Sequence, residues 1–485
     1  MSELSPTQPA PAAAPPSPDG TGHRGLRGSI GVVGIVFLVV AAAAPLTAIG
    51  GALPVMLAIG NGPGNPMAYV VAAVVLLLFS VGYAAMSRHV VDAGAFYAYV
   101  SKGLGSRVGV GAAGLALLTY TAIQAGLYGL AGATAQGLVV QYGGPDLPWW
   151  VWAFVLMAIV GLLGYRNIDV GTKVLGVLLT LEVAVIAVVA VAILVQGGAN
   201  GIDAQSFTPS AFFSGAPGIS IMFAIASFIG FEATAIYGEE ARNPRRTVPL
   251  ATYVAVVSIG VFYALSSWAI VLAFGSDDVV AAAQADTAGL VFSAAAQYVS
   301  PAVADIMAVL LLTSIFAALL AFHNAVARYL FALGRERRAP AVLGRSHARH
   351  GSPHIGSLTQ TASAAVLVAV FVVAGSDPVL QLFTWMSGLA TVSILVVMVL
   401  TSVAIIAFFA RTRVDRRIWH TRVAPALGAL GLVGVTALVL SNFTTLIGGD
   451  ATLATVLLVV IALAFVAGVG VAAATQRRAV EHADS

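Results

Sequence analysis

The stretch Phe223–Pro249, FAIASFIGFEATAIYGEEARNPRRTVP, decides the fold of this chain. It begins as an apolar helix, is interrupted by Gly230 and the carboxylate of Glu232, and ends in the charged run EEARNPRR. Irregular backbone at membrane depth is tolerated only where it is buried in protein or lines a cavity. The free N–H and C=O groups at such a break, and the dipoles of the half-helices, suit a small zwitterion. The stretch therefore predicts a binding site inside a membrane-spanning protein.

The composition of the whole chain predicts many membrane spans. Of its 485 residues, 59% are hydrophobic and 9% are charged, whereas a soluble domain carries about 25% charged residues. Apolar segments of about 20 residues or more repeat along the chain. We interpret them as twelve spans, over residues 30–60, 65–86, 107–141, 147–165, 172–196, 216–238, 247–275, 301–334, 355–375, 378–409, 423–447 and 450–474.

The charged residues predict the orientation of these spans. If the chain starts in the cytoplasm, all 23 lysines and arginines fall in the cytoplasmic segments, and the opposite loops contain aspartates such as Asp203 and Asp377. This separation follows the positive-inside rule. We therefore expect a plasma-membrane protein with both termini in the cytoplasm. The basic residues lie in short loops between spans, so they do not indicate nucleic-acid binding, and the lack of cysteine excludes disulfides and Cys-ligated metal.

A second interruption lies in the first span, in APLTAIGGALP, Ala44–Pro54. Its two prolines and two adjacent glycines remove a hydrogen-bond donor and loosen the helix. Spans 1 and 6 occupy matching positions if spans 1–5 and 6–10 are inverted repeats. Interrupted segments at matching positions are the sequence signal for a transporter binding site.

The stretch around span 6 resembles the amino acid–polyamine–organocation (APC) permeases, whose sixth helix reads F-x-G-x-E, then E-x-x-N-P-x-R-x-I-P. The matching residues here are Phe228, Gly230, Glu232, Glu240, Asn243, Pro244, Arg246, Val248 and Pro249, and Val248 is the only departure. The runs AGAFYAYVSKGLG (93–105), FHNAVARYLFALGRERRAP (322–340) and HGSP (350–353) are also similar to the family. The likeness therefore extends over spans 1 to 10.

The resemblance implies an all-α integral membrane protein with the leucine-transporter-type fold, two inverted five-helix repeats plus two helices. It implies secondary transport of an amino acid or related amine by alternating access, without a metal or organic cofactor. We divide the chain into a disordered tail (1–28), a transporter core (29–410), the last two spans (411–475) and a C-terminal tail (476–485). The last two spans are expected to pack against the core or to form a homodimer.

The resemblance also assigns the substrate site. Backbone groups of span 1 would bind the substrate carboxylate, carbonyl groups from Ala226 to Ile229 would bind the amino group, and neighbouring side chains would shape the pocket. The predicted substrate-binding residues are Thr47, Ala48, Ile49, Gly50, Gly51, Phe223, Ala226, Ser227, Phe228, Ile229 and Gly230.

Charged and hydroxyl side chains within the spans are candidates for gating and coupling, because charge is costly in a membrane. Glu182 lies in the middle of span 5, where the resemblance implies a lysine in some proton-coupled relatives, and it is either a proton carrier or a structural carboxyl. Glu232 is expected in a gating network rather than against the substrate. The predicted set is Glu182, Glu232, Glu239, Glu240, Arg246, Thr313 and Ser314.

Several alternatives stay open for these residues. For Thr313 and Ser314, bonding to their own helix is favoured over cation binding. Tyr120, Gln124 and Tyr128 share one helical face and either line the cavity or pack on a helix. His323 is expected to be a packing residue rather than a proton relay.

The function also has alternatives. A proton is favoured over sodium as the coupling ion, although Glu182 with Thr313 and Ser314 would offer oxygen ligands. An exchanger without ion coupling, and a channel or sensor of the same fold, are the rival functions. The sequence contains no nucleophile elbow or phosphate-binding loop that would indicate an enzyme.

Overall fold

A computed structural model describes residues 30–90, 96–166, 172–236 and 241–483. These residues form helices joined by short loops, without a β-strand, and the one isolated bridge joins Ile30 to Ala241. Eleven segments of the described chain are long and apolar enough to cross a membrane. Between the fifth and sixth of them lies a shorter apolar helix, Pro217–Ala226. We count it as the first half of a broken span, which brings the number to the predicted twelve.

The first seven spans include the two that are interrupted. Span 1 consists of Val32–Ala43 and Leu53–Ile59, joined by a π-helical stretch at Thr47–Ala52. The next four are Asn65–Ser87, Ser106–Gln141, Trp149–Arg166 and Thr172–Gln196. Span 6 consists of Pro217–Ala226 and the short helix Ala233–Ile236, and span 7 is Pro244–Phe274.

The remaining spans are long helices, two of which have irregular starts. Span 8 is Pro301–Arg335 and span 9 is His354–Val373. Span 10 is Pro378–Phe383 followed by Thr384–Thr412, span 11 is Trp419–Val423 followed by Ala424–Ser441, and span 12 lies within Ala451–Ala483. Before span 8, the helices Val279–Ala285 and Leu290–Tyr298 meet at 115°.

A short helix, Phe96–Leu104, lies between spans 2 and 3 within the AGAFYAYVSKGLG run. Its aromatic side chains are buried rather than exposed at a membrane surface. The ring centroids of Phe96 and Tyr99 lie 5.6 and 5.0 Å from that of Tyr83 in span 2. The side chain of Arg411, at the end of span 10, donates a hydrogen bond to the carbonyl of Gly103. The short helix is therefore fixed between spans 2 and 10.

The centre of the bundle is one large apolar cluster contributed mainly by spans 1, 2, 3, 6, 7, 8 and 10. Both interrupted spans are buried in it, and every residue from Thr47 to Ala52 is buried. Spans 4, 5 and 9 lie towards the outside and expose apolar side chains such as Leu162 and Val366. This arrangement places the two helix breaks at the middle of the bundle.

Candidate functional site

The break in span 1 is located at Ala44, at the start of the predicted interrupted stretch Ala44–Pro54. A residue that precedes proline is disfavoured in the α conformation, and Ala44, before Pro45, has φ 46° and ψ 73°. Gly50 and Gly51 lie within the π-helical stretch, and Pro54 lies in the first turn of Leu53–Ile59. The helix thus ends at Ala43, and the first free N–H groups of the second half follow Pro45.

Side chains from two other spans occupy this first break. The hydroxyl of Tyr263, in span 7, donates a hydrogen bond of 3.1 Å to the carbonyl oxygen of Ala43. On the other side of the break, the carboxyl group of Glu182 lies near the backbone N–H of Leu46. A carboxyl group at the N-terminal end of a helix is favourably placed, because the free N–H groups and the helix dipole attract negative charge.

The break in span 6 is centred on Gly230, which has φ 111°. The N–H of Gly230 donates to Oε2 of Glu232 at 2.9 Å, and the hydroxyl of Tyr120, in span 3, donates to Oε1 at 2.6 Å. Tyr83, in span 2, donates to the backbone carbonyl of Glu232 at 3.0 Å. The Glu232 carboxyl group therefore binds the free N–H of the break and joins it to span 3.

The two breaks are neighbours. A Cβ atom built on Gly230 would lie 3.1 Å from the Cβ of Ala42, at the end of the first half of span 1. Within the described part of the chain, the carbonyl oxygens of Ser227 and Ile229 receive none of the backbone hydrogen bonds of the turn in span 6. The end of the first half of span 1 and the break in span 6 are therefore adjacent in the bundle.

A cavity of about 50 Å³ lies between the breaks. Six of the predicted substrate-binding residues line it: Thr47, Ala48, Phe223, Ala226, Ser227 and Ile229. The other five, Ile49, Gly50, Gly51, Phe228 and Gly230, do not line it. Phe228 packs edge-on against Tyr263, with ring centroids 6.1 Å apart, and a Cβ on Gly51 would meet the side chain of Leu130 in span 3.

Sequence patterns did not indicate the walls that spans 3, 8 and 10 contribute. These walls contain Ile123, Leu127, Ala318, Phe322, Phe383 and Ser387. They are ordinary apolar or small residues in helices, and no local motif distinguishes them from core residues. Ala42, Ala43 and Ala44, which also line the cavity, could have been found from the sequence, because Pro45 marks the break beside them.

Two of the predicted coupling residues, Glu182 and Ser314, lie in the interior of the bundle next to this cavity. The hydroxyl of Thr47, on the cavity wall, donates to the hydroxyl of Ser314 at 3.1 Å. Ser314, in span 8, lies beside the carboxyl group of Glu182. Glu182 and Ser314 are 4% and 1% exposed. A chain of two hydroxyl groups therefore joins the cavity to a buried carboxyl group.

The other candidates lie elsewhere. Thr313 donates to the carbonyl of Leu310 in its own helix, at 2.8 Å. The side chain of Arg246 is exposed at the start of span 7. Glu239 and Glu240 lie outside the described residues, so the predicted pairing of the EEARNPRR loop stays a prediction.

Two further side-chain groups pack between helices rather than line the cavity. Nε2 of His323 lies 2.8 Å from the hydroxyl of Ser357 in span 9, and both residues are buried. Nε2 of Gln124 donates to the carbonyl of Leu319 at 3.1 Å, and Tyr128 lies beside it. Tyr120 contacts Glu232, as described above. The stripe formed by Tyr120, Gln124 and Tyr128 thus joins span 3 to spans 6 and 8.

The chain is similar to three kinds of bacterial permease. It is 28% identical over 251 residues to the aromatic amino acid transport protein AroP of Escherichia coli, which covers 47% of this chain and 52% of that protein. It is 26% identical over 393 residues to the branched-chain amino acid permease BcaP of Lactococcus lactis, covering 77% of this chain and 81% of that protein. The low-affinity putrescine importer PlaP of Escherichia coli is 24% identical over 296 residues, covering 59% and 63%. The match to AroP thus spans about half of that relative's length.

The family model for amino acid permeases matches residues 34–482, which include both helix breaks and nearly all of the twelve spans. Permeases of this kind are transporters rather than enzymes, and the helical architecture is that of the leucine-transporter-like membrane fold. The chain therefore belongs to the amino acid permease family of the APC superfamily.

Proposed function

We propose that this protein is a secondary transporter of an amino acid with an uncharged, apolar side chain. The observation that carries this proposal is the cavity between the two helix breaks, which uncharged residues of both breaks line. None of the described residues that line it is charged, and its polar side chains are those of Thr47, Ser227 and Ser387. A dication such as putrescine favours carboxylate partners, which these lining residues do not supply.

The substrate orientation follows from the polarity of the two breaks. The α-carboxylate is placed at the N-terminal end of the second half of span 1, beside Thr47 and Ala48, where N–H groups and the helix dipole are favourable. The α-amino group is placed at the carbonyl oxygens of Ser227 and Ile229. The side chain then lies among Phe223, whose ring centroid is 5.7 Å from that of Phe383, and the alanines of spans 1 and 6.

The cavity must enlarge to admit such a substrate. A volume of about 50 Å³ holds only a few water molecules, at about 10–15 Å³ for each by the same measure. Alternating access provides the movement: spans 1 and 6 rock against the other spans, and the breaks absorb the change in backbone angle. We place the protein in the plasma membrane with both termini in the cytoplasm, on the basis of the positive-inside rule.

A proton is the proposed coupling ion, and Glu182 is the proposed carrier. A buried carboxyl group without a cationic partner prefers its neutral form. When protonated, Glu182 loses its attraction for the N–H of Leu46 and for the dipole of the second half of span 1. Because Ser314 also bonds to Thr47, the protonation state of Glu182 changes the hydrogen-bonding of the cavity wall. A sodium mechanism would use the same oxygens of Glu182 and Ser314 with a deprotonated carboxyl group.

The test is uptake into liposomes that contain the purified protein. The substrate panel consists of radiolabelled phenylalanine, leucine, lysine, glutamate and putrescine, each with an imposed pH gradient and no sodium. We expect accumulation of phenylalanine or leucine and none of the charged substrates. Preferred uptake of putrescine or lysine would contradict the proposed substrate class.

The Glu182→Gln variant tests the coupling in the same assay. It is expected to abolish accumulation driven by the pH gradient and to retain exchange of internal for external substrate. Glu336→Gln is a matched control, because Glu336 is an exposed carboxylate outside the spans. Accumulation that requires sodium, or a Glu182→Gln variant that still follows the pH gradient, would refute the proton mechanism. Exchange without accumulation in the wild type would identify an exchanger.

A further inference from the structure

A groove of about 790 Å³, separate from the central cavity, lies between spans 3, 8 and 12. It is located at the end of the bundle where span 8 terminates in the arginine-rich segment Arg335–Arg338. We call this end the basic end. The walls of the groove are apolar and include Val110, Leu117, Leu330, Leu333, Gly468 and Val471.

The floor of the groove is an apolar cluster that is distinct from the main core of the bundle. It contains Val110 and Leu333 together with Tyr97, Ala113 and Ala472. Spans 3 and 12 cannot approach more closely to fill the groove, because they are already in backbone contact. A Cβ atom on Gly468 would clash with the carbonyl oxygen of Val110. The groove is therefore a fixed feature of the packing.

The rim of the groove at the basic end is cationic. Arg337 and Arg338 both line it. Arg338 is partly engaged: its Nε lies 3.1 Å from the carboxylate of Glu336, and its guanidinium also bonds to the hydroxyl of Ser106 and lies over the ring of Tyr97. The nearby Arg335 lies over the ring of Phe331. The segment thus contains three guanidinium groups and one carboxylate.

Arg337 differs from its neighbours. It is one of three non-glycine residues with positive φ in the described part of the chain, at 56°. This left-handed conformation ends span 8, where the N–H of Arg338 donates to the carbonyl of Leu333. Its side chain lines the groove and is exposed there. Within the described residues, its guanidinium has no hydrogen-bonding or carboxylate partner.

We propose that this groove binds one anionic phospholipid from the leaflet at the basic end. Its acyl chains cover the apolar walls, and its phosphate is bound by Arg337 and Arg338. The apolar walls and the cationic rim together favour this class of ligand. Basic pockets between membrane helices bind anionic headgroups, whereas a soluble anion would leave the apolar walls uncovered. The side chain of Val471 is 43% exposed, so the groove opens towards the surrounding lipid.

The binding is measured by native mass spectrometry of the purified full-length protein. The probe is an equal mixture of dioleoyl phosphatidylglycerol and dioleoyl phosphatidylcholine in detergent. We expect one retained phosphatidylglycerol and a clear preference over phosphatidylcholine. Arg337→Ala should lower this preference about fivefold, the effect of one surface cation on an anionic lipid. The double variant Arg337→Ala with Arg338→Ala should lower it further.

Two more variants test what the lipid contacts. One removes charge outside the groove, and the other blocks the apolar walls that the acyl chains would cover. Arg345→Ala with Arg349→Ala removes two exposed cations of the same loop that do not line the groove, and it should retain the preference. Val471→Trp fills the apolar part without a change of charge, and it should displace the lipid. Excess inorganic phosphate should not compete. Each variant must elute as a single peak in size-exclusion chromatography with unchanged thermal stability in detergent.

Several results would refute the assignment of this groove to an anionic lipid. Equal retention of the two lipids by the wild type, or equal loss in the groove and control double variants, overturns the proposal. Displacement by phosphate alone would show a simple anion site. A dimer that retains no lipid and is broken by Val471→Trp would show that a second copy of the chain covers the groove. Either of the last two results also refutes the lipid assignment.

Discussion

Replacement of Gly230 by alanine should strain the junction between the two helix breaks. The φ angle of 111° at Gly230 is one that residues with a side chain rarely adopt, and a backbone held in such a region costs about 1–3 kcal/mol. The new Cβ would also lie 3.1 Å from the Cβ of Ala42. This crowding adds about 1 kcal/mol, at the lower end for overpacked cores. The total expected loss of stability is therefore about 2–4 kcal/mol.

The two contributions can be separated by a second substitution. Ala42→Gly removes the crowded atom, and the next atoms of residue 42 lie at 3.6 and 3.8 Å, which is ordinary contact. In this background, Gly230→Ala should cost about 1 kcal/mol less than in the wild type, since contacting residues are not additive. The backbone strain should remain. Gly434→Ala is the control, because a Cβ there meets no atom within 4 Å.

The assay combines thermal unfolding in detergent with substrate uptake in liposomes. Gly230→Ala is expected to reduce uptake because Ala42 lines the cavity. Gly230→Val, with its β-branched side chain, should abolish uptake while it still inserts into the membrane. If Gly230→Ala unfolds at the wild-type temperature and transports normally, the break is not strained and the reasoning fails. If Ala42→Gly gives no relief, the crowding is not located where the structure places it.

Three other changes test different parts of the molecule. Tyr120→Phe removes the 2.6 Å hydrogen bond to Glu232 and should lower the free energy of unfolding by about 1–3 kcal/mol. Tyr128→Phe loses only a 3.4 Å contact and should have a smaller effect. Equal effects would contradict the role of Glu232 at the break. Phe322→Leu replaces a cavity-lining side chain by a smaller one. Tryptophan should then compete better for uptake, relative to alanine, than it does in the wild type. If the ratio of inhibition by tryptophan to inhibition by alanine is unchanged, this wall does not contact the substrate. In the loop after span 10, the hydrogen bond from Arg417 lowers the pKa of Asp415 to about 2. A carboxyl group with a lowered pKa stabilises the fold above its unfolded value of 3.8 and loses that effect as the pH falls through 2. Unfolding curves of the wild type and Asp415→Asn should therefore differ at pH 5 and converge near pH 2, and a difference that grows with acidity would refute the pairing.

Much of the architecture could be predicted from local sequence. Eleven spans of the described chain are recognisable by their apolar length, and the charge of the loops predicts how the spans alternate. The break at Gly230 could also be predicted, because a glycine followed two residues later by the carboxylate of Glu232 is unfavourable in an uninterrupted apolar helix. The break at Ala44 could have been located more accurately from Pro45, since the restriction that proline imposes on the preceding residue is local.

The rest depended on contacts between residues that are distant in the chain. Nothing near Phe322 or Phe383 in sequence indicates that these side chains meet at one cavity with Phe223. The same is true of the contact between Thr47 and Ser314, which are 267 residues apart. Their meeting is set by the packing of whole helices, and a pattern of apolar residues does not encode which faces come together.

The polar groups at the two breaks and the side chains of the cavity are largely different sets of residues. Tyr263 and Tyr120 act through hydrogen bonds to Ala43 and Glu232 and do not line the cavity, whereas the bulk of its walls comes from phenylalanines and alanines. Substitutions of those wall residues change what fits without removing the partners of the broken backbone. Such a division allows the wall residues to vary during evolution while the hydrogen bonds at the breaks are kept. The wall residues are therefore the starting point for engineering a transporter with a different substrate.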